Sequence, residues 1–172
     1  VTVSSDILLD AFSRIRDTVH RVLDGISPDE LTFRADPDSN TVAWLVWHLA
    51  RVQDGHLADA MDAPELWAGW VDRFGLPFDP DATGYGQSSD EVGQVQVSAD
   101  LLAGYFDEVA KRTDDWVAAL TDEDLERVVD TRWDPPVTLA VRLVSVLNDD
   151  TQHAGQAALL RGIASRSLRD GA

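Results

Sequence analysis

Apolar residues recur along this chain at steps of three and four, the spacing of helices that bury one face. Ile7, Leu8, Phe12, Ile15, Val19, Val22 and Leu23 form the first such stripe and predict a helix from Ser5 to Gly25. Ser4 or Ser5 suits its N-cap, where a hydroxyl accepts an otherwise orphaned amide, and Gly25 suits its stop. Ser27-Pro-Asp-Glu begins a short turn, and Arg34–Asn40 reads as a loop from its Pro, Asp and Asn content. A second helix is predicted from about Thr41 to Asp62, capped by Ser39 or Asn40. Its opening, Val42-Ala-Trp-Leu-Val-Trp-His-Leu49, is apolar nearly all round, the pattern of a helix buried on several sides. Regularity then lapses. Pro64 can start a short helix. The Gly- and Pro-rich run Phe74–Gln87 predicts a long loop, whose Phe74, Phe78 and Tyr85 are expected to pack, either as an Ω-like connection or at a pocket mouth. Ser98 caps a third helix, Ala99 to about Leu120, with Leu101, Leu102, Tyr105, Val109, Trp116, Val117 and Leu120 inward. Thr121-Asp-Glu-Asp124 has the form of a capping box. Val128–Trp133 reads as extended until Asp134-Pro-Pro136 stops it. A fourth helix runs from Thr138 to about Ala164, leaving Ser165–Ala172 as a frayed tail.

Four helices of about 20 residues predict an all-α fold, one antiparallel four-helix bundle, with the long connection between the second and third helices crossing it. The 172 residues fit a single domain, 1–172, large enough to bury a substantial core. No apolar run reaches the roughly 18–20 residues a membrane span needs. No basic segment followed by an apolar one marks a secretory signal, so a cytoplasmic location is expected. With 14 Lys+Arg against 31 Asp+Glu the formal charge is −17. Such a surface repels phosphate backbones and anionic headgroups, so neither nucleic acid nor a membrane is expected as a partner. Cysteine is absent. That excludes disulfides, thiolate ligands and a cysteine nucleophile; any thiol chemistry must use a thiol that arrives as a substrate.

The chemistry-bearing stretch is Leu147-Asn-Asp-Asp-Thr-Gln-His-Ala-Gly-Gln156. Asp149 and His153 stand one turn apart on one helix face, and Gln156 continues it. An acid and a histidine on a core stripe are costly to bury unless something pairs with them. A divalent metal would do so, and His48 on the second helix is the candidate third ligand. Two imidazoles and a carboxylate form a facial set that leaves positions open. Asp149 is preferred to Asp150 because a step of four aligns better with His153. The plainer alternative for His48 is a hydrogen-bonded core histidine, and His56 is expected at the rim or in solvent. Gly84-Tyr-Gly86 lacks the strand and spacing of a phosphate loop.

Asn40-Thr-Val-Ala-Trp-Leu-Val-Trp-His48-Leu-Ala-Arg-Val-Gln-Asp54, Trp133-Asp-Pro-Pro-Val-Thr-Leu-Ala140 and Asp149-Asp-Thr-Gln-His153-Ala-Gly-Gln156 resemble the DinB/YfiT-like superfamily. The nearest branch is that of mycothiol-dependent maleylpyruvate isomerase N-terminal domains and mycothiol S-transferases. The resemblance implies an up-down-down-up bundle, often a homodimer, with zinc or nickel between the second and last helices. His48 and His153 match its ligand pattern. Asp149 stands where the isomerase-like branch carries a carboxylate, usually the longer Glu, which leaves direct ligation, a bridging water and Asp150 as alternatives. The implied activity is transfer of a mycothiol-type thiol to an electrophilic small molecule. Gln156 would orient His153 or a substrate group. Arg51 or Arg161 would meet a carboxylate of the thiol or substrate, unless each is an ordinary salt bridge. Trp44, Trp47, Trp67, Trp70 and Trp133 would wall the cavity, unless they are plain core. The competing readings are a metal-dependent hydrolase or isomerase using activated water, and a non-catalytic stress-response bundle.

Overall fold

The computed structural model describes residues 2–170. Its helices are α1 (Val3–Leu23), α2 (Pro28–Thr32), α3 (Val42–Met61), α4 (Val71–Phe74), α5 (Ser89–Val92), α6 (Ala99–Val117), α7 (Asp122–Glu126) and α8 (Leu139–Asp170). A 3₁₀ turn, Leu66–Gly69, precedes α4, and two short antiparallel strands, β1 (Val128–Asp130) and β2 (Val137–Thr138), precede α8. The long helices α1, α3, α6 and α8 form the bundle. α8 packs most extensively on α3 and also on α1, while α6 closes the other side against both α1 and α3.

Side-chain pairs give the directions. Arg16–Asp114 and His20–Asp107 run α1 against α6. Arg51–Tyr105 and Gln53–Thr113 run α3 alongside α6. His48–His153 and Asp59–Arg142 run α3 against α8. The order is therefore up-down-down-up. Among the described residues, no helix is long and apolar enough to cross a membrane.

Local chemistry sets the ends. Thr2 caps α1 by accepting from the Ser5 amide, so the helix begins two residues before the predicted start. Ser5 is then freed for the core, where its hydroxyl donates to the Leu120 carbonyl at 2.9 Å. Ile7, predicted on the buried stripe, faces out instead. Thr41, rather than Ser39 or Asn40, caps α3 by accepting from the Trp44 amide. The capping boxes at Ser27–Glu30 and Thr121–Asp124 are both formed. α8 continues to Asp170, past the predicted end near Ala164. No Gly or Pro interrupts Ser165–Asp170, and arginines near a helix C-terminus complement its dipole. Residues 171–172 of the predicted tail lie outside the described residues.

The connection between α3 and α6 is built of short turns and one pinned loop. In that loop, the Pro80 carbonyl is claimed by Trp67 Nε1, that of Ala82 by Arg51 Nε and that of Thr83 by His48 Nδ1. These bonds satisfy backbone groups that would otherwise be stranded against an apolar helix. Phe74 is buried and Phe78 half-buried, as expected of loop aromatics, but Tyr85 is 94% exposed.

Candidate metal centre

α3 presents Trp44, His48 and Arg51 along its buried side because Thr41 starts the helix in that register. The His48 ring stacks on Trp44, with centroids 4.6 Å apart. Its Nδ1 lies 2.5 Å from the Thr83 carbonyl oxygen. A carbonyl only accepts, so Nδ1 carries the proton and Nε2 keeps its lone pair in the neutral ring. Burial favours that neutral form by pushing the His48 pKa down.

The opposing ring comes from α8. His153 meets His48 edge-on, with centroids 4.8 Å apart. Its Nδ1 is 3.1 Å from Gln156 Oε1, and its Nε2 is 3.6 Å from Asp149 Oδ1. Both imidazoles thus have Nδ1 tied to an oxygen and Nε2 turned to a common point, the arrangement that oxygen partners impose on ligating histidines. One donor atom each from His48, Asp149 and His153 lies within 4.8 Å of the other two. The Asp149 carboxylate beside His153 favours its protonated form and raises its pKa. Burial alone would raise Asp149, yet His153, with His48 and His56 nearby, draws its pKa below the usual carboxylate value. The second oxygen, Asp149 Oδ2, is buried with no hydrogen-bond partner.

Asp150 does not join this cluster. It is fully buried on the core side of α8, both its oxygens lack partners, and burial together with the Asp149 charge pushes its pKa well up. The periodic step explains the split: one residue turns a side chain by about 100° around a helix. The carboxylate that faces the two histidines is therefore Asp149. His56 is exposed at the surface of α3.

Neither arginine proposed for a substrate carboxylate is free for it. Arg51 is 1% exposed; its guanidinium pairs with Glu65 at 2.6 Å, lies 3.9 Å from Asp54 and covers Trp67. Arg161 donates to the carbonyls of Arg21 and Asp24, closing the C-terminal end of α1. A long cation beside orphaned carbonyls or buried acids finds its partner inside the protein. Trp47, Trp67 and Trp70 are core residues, and Trp133 is 67% exposed at the strand hairpin. Of the five tryptophans, Trp44 alone stacks on a residue of the triad.

Sequence reasoning missed the loop that seats His48. Gly84 has φ +95°, and a Cβ there would meet His48 Nδ1 at 2.9 Å and the Trp44 and Trp47 rings at 3.0 Å. Only glycine lets the backbone lie this flat on the imidazole. Gln87 holds the same loop by accepting from Trp44 Nε1 at 2.7 Å. The Gly-Tyr-Gly run inside an aromatic loop was the available signal: such glycines mark close approach of backbone as well as phosphate cradles.

The four-helix bundle in up-down-down-up order is a DinB-like fold, and it carries an inward His/His/carboxylate set at the seam of its second and last long helices. Solved structures agree on the fold. A conserved protein from Enterococcus faecalis aligns with TM-score 0.86 and 27% identity over 94% of this chain and 96% of its own. A DinB-like protein from Bacillus cereus ATCC 10987 aligns with TM-score 0.60 and 19% identity over 92% and 91%. The chain belongs to the mycothiol-S-transferase family, whose model matches residues 7–165. Among curated proteins, none matches significantly.

Proposed function

We propose that this protein is a divalent-metal-dependent S-transferase that joins a mycothiol-type thiol to an electrophilic small molecule. One observation carries the reading: in a member of a thiol-transferring family, two imidazoles and a carboxylate crowd to within 4.8 Å with one buried carboxylate oxygen unpartnered. Two lone pairs and an anion repel one another unless a proton or a cation sits among them. The donor set, N, N and O, suits zinc or nickel. Among the described residues only three such donors converge, whereas structural zinc sites are closed by four.

His48, His153 and Asp149 would hold the ion. When bound, it would supply acidification of the incoming thiol, since a coordinating thiol is deprotonated outright. The chain's own residues do the rest. Thr83 and Gln156 fix the two rings, and Trp44 shields one face of His48 from water. The incoming sulfur forms a bond to an electrophilic carbon, the leaving group departs with the bonding pair, and the thiol proton passes to solvent. The sulfur must come from outside, because the chain has no cysteine.

The test is direct. Purified protein is assayed for zinc and nickel, then mixed with mycothiol and monobromobimane or a chloronitrobenzene, before and after chelation. A rate that chelation removes and metal restores is the expected result. A metal-dependent reaction that proceeds without thiol points to a hydrolase or isomerase instead, and no rate above the metal-free control counts against an enzyme.

A further inference from the structure

Trp44, His48 and Arg51 follow one another along α3 at steps of four and three, so they share one stripe of the helix. Each holds the loop that crosses them. Trp44 Nε1 donates to Gln87 Oε1 at 2.7 Å, His48 Nδ1 to the Thr83 carbonyl at 2.5 Å and Arg51 Nε to the Ala82 carbonyl at 3.2 Å. The loop therefore runs antiparallel to α3 and is buckled to it at three points. Ala82 and Thr83 are consecutive. The carbonyl that orients the imidazole is thus one peptide away from the carbonyl that the arginine grips. The outer side of the loop faces solvent at Tyr85, which stands between Gly84 at φ +95° and Gly86 at φ +74°.

Arg51 is the rigid end of this buckle. Its Nη1 pairs with Glu65 at 2.6 Å and lies 3.5 Å from the Tyr105 hydroxyl, and the guanidinium covers the Trp67 ring at 4.9 Å. Those contacts use one end and one face of the group and leave Nε for the loop. A guanidinium can do this and an ammonium cannot, because only the former carries a second donor part-way along its planar fork.

The single ring proton of neutral His48 has two claimants. The Thr83 carbonyl draws it to Nδ1, whereas the Asp149 carboxylate in the triad draws it to Nε2. A carboxylate is the stronger acceptor, so the carbonyl prevails only where it is held close. A proton on Nε2 removes the lone pair that an ion needs.

We infer that Arg51 is a positioning residue for the metal centre: by gripping Ala82 it keeps the next carbonyl, Thr83, on His48 Nδ1 and so leaves His48 Nε2 free to ligate. The inference rests on the metal-binding part of the reading above and adds to it a role in the site for a buried arginine that touches no ligand of the ion.

Two substitutions divide the functions of this side chain. Arg51→Gln keeps an N–H where Nε stood and loses the charge, whereas Arg51→Lys keeps the charge and puts a methylene there. Tyr105→Phe perturbs the same cluster without touching the loop. Ring-nitrogen chemical shifts of the metal-free protein, at a pH where the ring is neutral, read the His48 tautomer. Calorimetry reads zinc affinity, and melting temperature reads stability. Wild type should hold His48 in the Nδ1–H form. Arg51→Lys should move it toward the Nε2–H form and weaken zinc binding about tenfold. Arg51→Gln and Tyr105→Phe should keep the wild-type tautomer and affinity although each lowers the melting temperature. In wild type, the Arg51 Nε–H and His48 Nδ1–H should exchange with the same urea dependence, since one loop movement frees both; this measurement needs no variant to fold. Arg51→Lys with wild-type tautomer and affinity overturns the proposal. So do unequal urea dependences, or losses in all three variants that simply follow melting temperature. A tautomer that responds as expected in a protein that binds no zinc supports the role of Arg51 and counts against the metal-dependent reading.

Discussion

His48 and Arg51 are three residues apart on α3 and lean on the same loop, yet they belong to clusters of opposite character. The Arg51 cluster is closed. Asp54, wholly buried, accepts from the amides of Leu66 and Trp67, the Tyr105 hydroxyl and Arg112 Nη2 at 2.6–3.1 Å. Burial and the Asp54 charge push the Tyr105 phenol well up, so it stays a donor. The His48 cluster is open. Asp149 leaves a buried oxygen without a partner, and the two imidazoles crowd against its carboxylate. A buried polar group without a partner costs roughly 1–3 kcal/mol. The first cluster is closed on itself; the second is the one in which the proposed ion would sit.

The contrast breaks most visibly at Asp54. Asp54→Ala strands an arginine, a phenol and two amides, and should lower unfolding free energy by about 3–5 kcal/mol, read by urea denaturation. A loss under about 1 kcal/mol would show that the closed cluster is not structural. Gly84→Ala comes next. Its positive φ and the 2.9 Å approach to His48 should cost about 1–3 kcal/mol. Unlike Asp54→Ala it should also weaken zinc binding in the folded protein, because the loop would lift the Thr83 carbonyl from the imidazole. Zinc titration by calorimetry checks this, and unchanged affinity would mean that the loop does not position His48.

His153→Gln should change stability by less than about 1 kcal/mol. Zinc retention after dialysis should nevertheless fall to background, and retention equal to wild type would remove His153 from the centre. The smallest effect sharpens the pair of adjacent aspartates. The folded protein holds Asp150 protonated by burial, whereas the unfolded chain releases that proton near pH 4. The folded state then binds more protons, so this side chain costs stability increasingly as pH rises from about 4. Asp150→Asn should therefore match wild type in melting temperature near pH 4 and exceed it progressively toward pH 8. A constant difference across that range would show that Asp150 does not titrate differently in the two states.

The legible parts were those governed by neighbours along the chain. Asp149 and His153 one turn apart, the Thr121–Asp124 capping box and the apolar stripes of α3 and α6 all follow from helix geometry alone. Errors arose where the choice between near-equivalent residues was not local. Thr2 against Ser4, and Thr41 against Asn40, are equally good caps on paper; packing decided which register the helix took. Ile7 looks like core by spacing and is not, because no neighbouring element covers that side.

The sequence by itself determined the bundle, the absence of thiol chemistry from the chain's own side chains, and the three ligand-type residues, since periodicity and composition are properties of the chain. Only the tertiary structure decided which cations were spent internally, which of two neighbouring acids faced the histidines, and that the loop through Gly84 seats one of them. Those outcomes depend on distances between residues far apart in the chain. Such distances are set by how whole helices pack, and no local pattern encodes them.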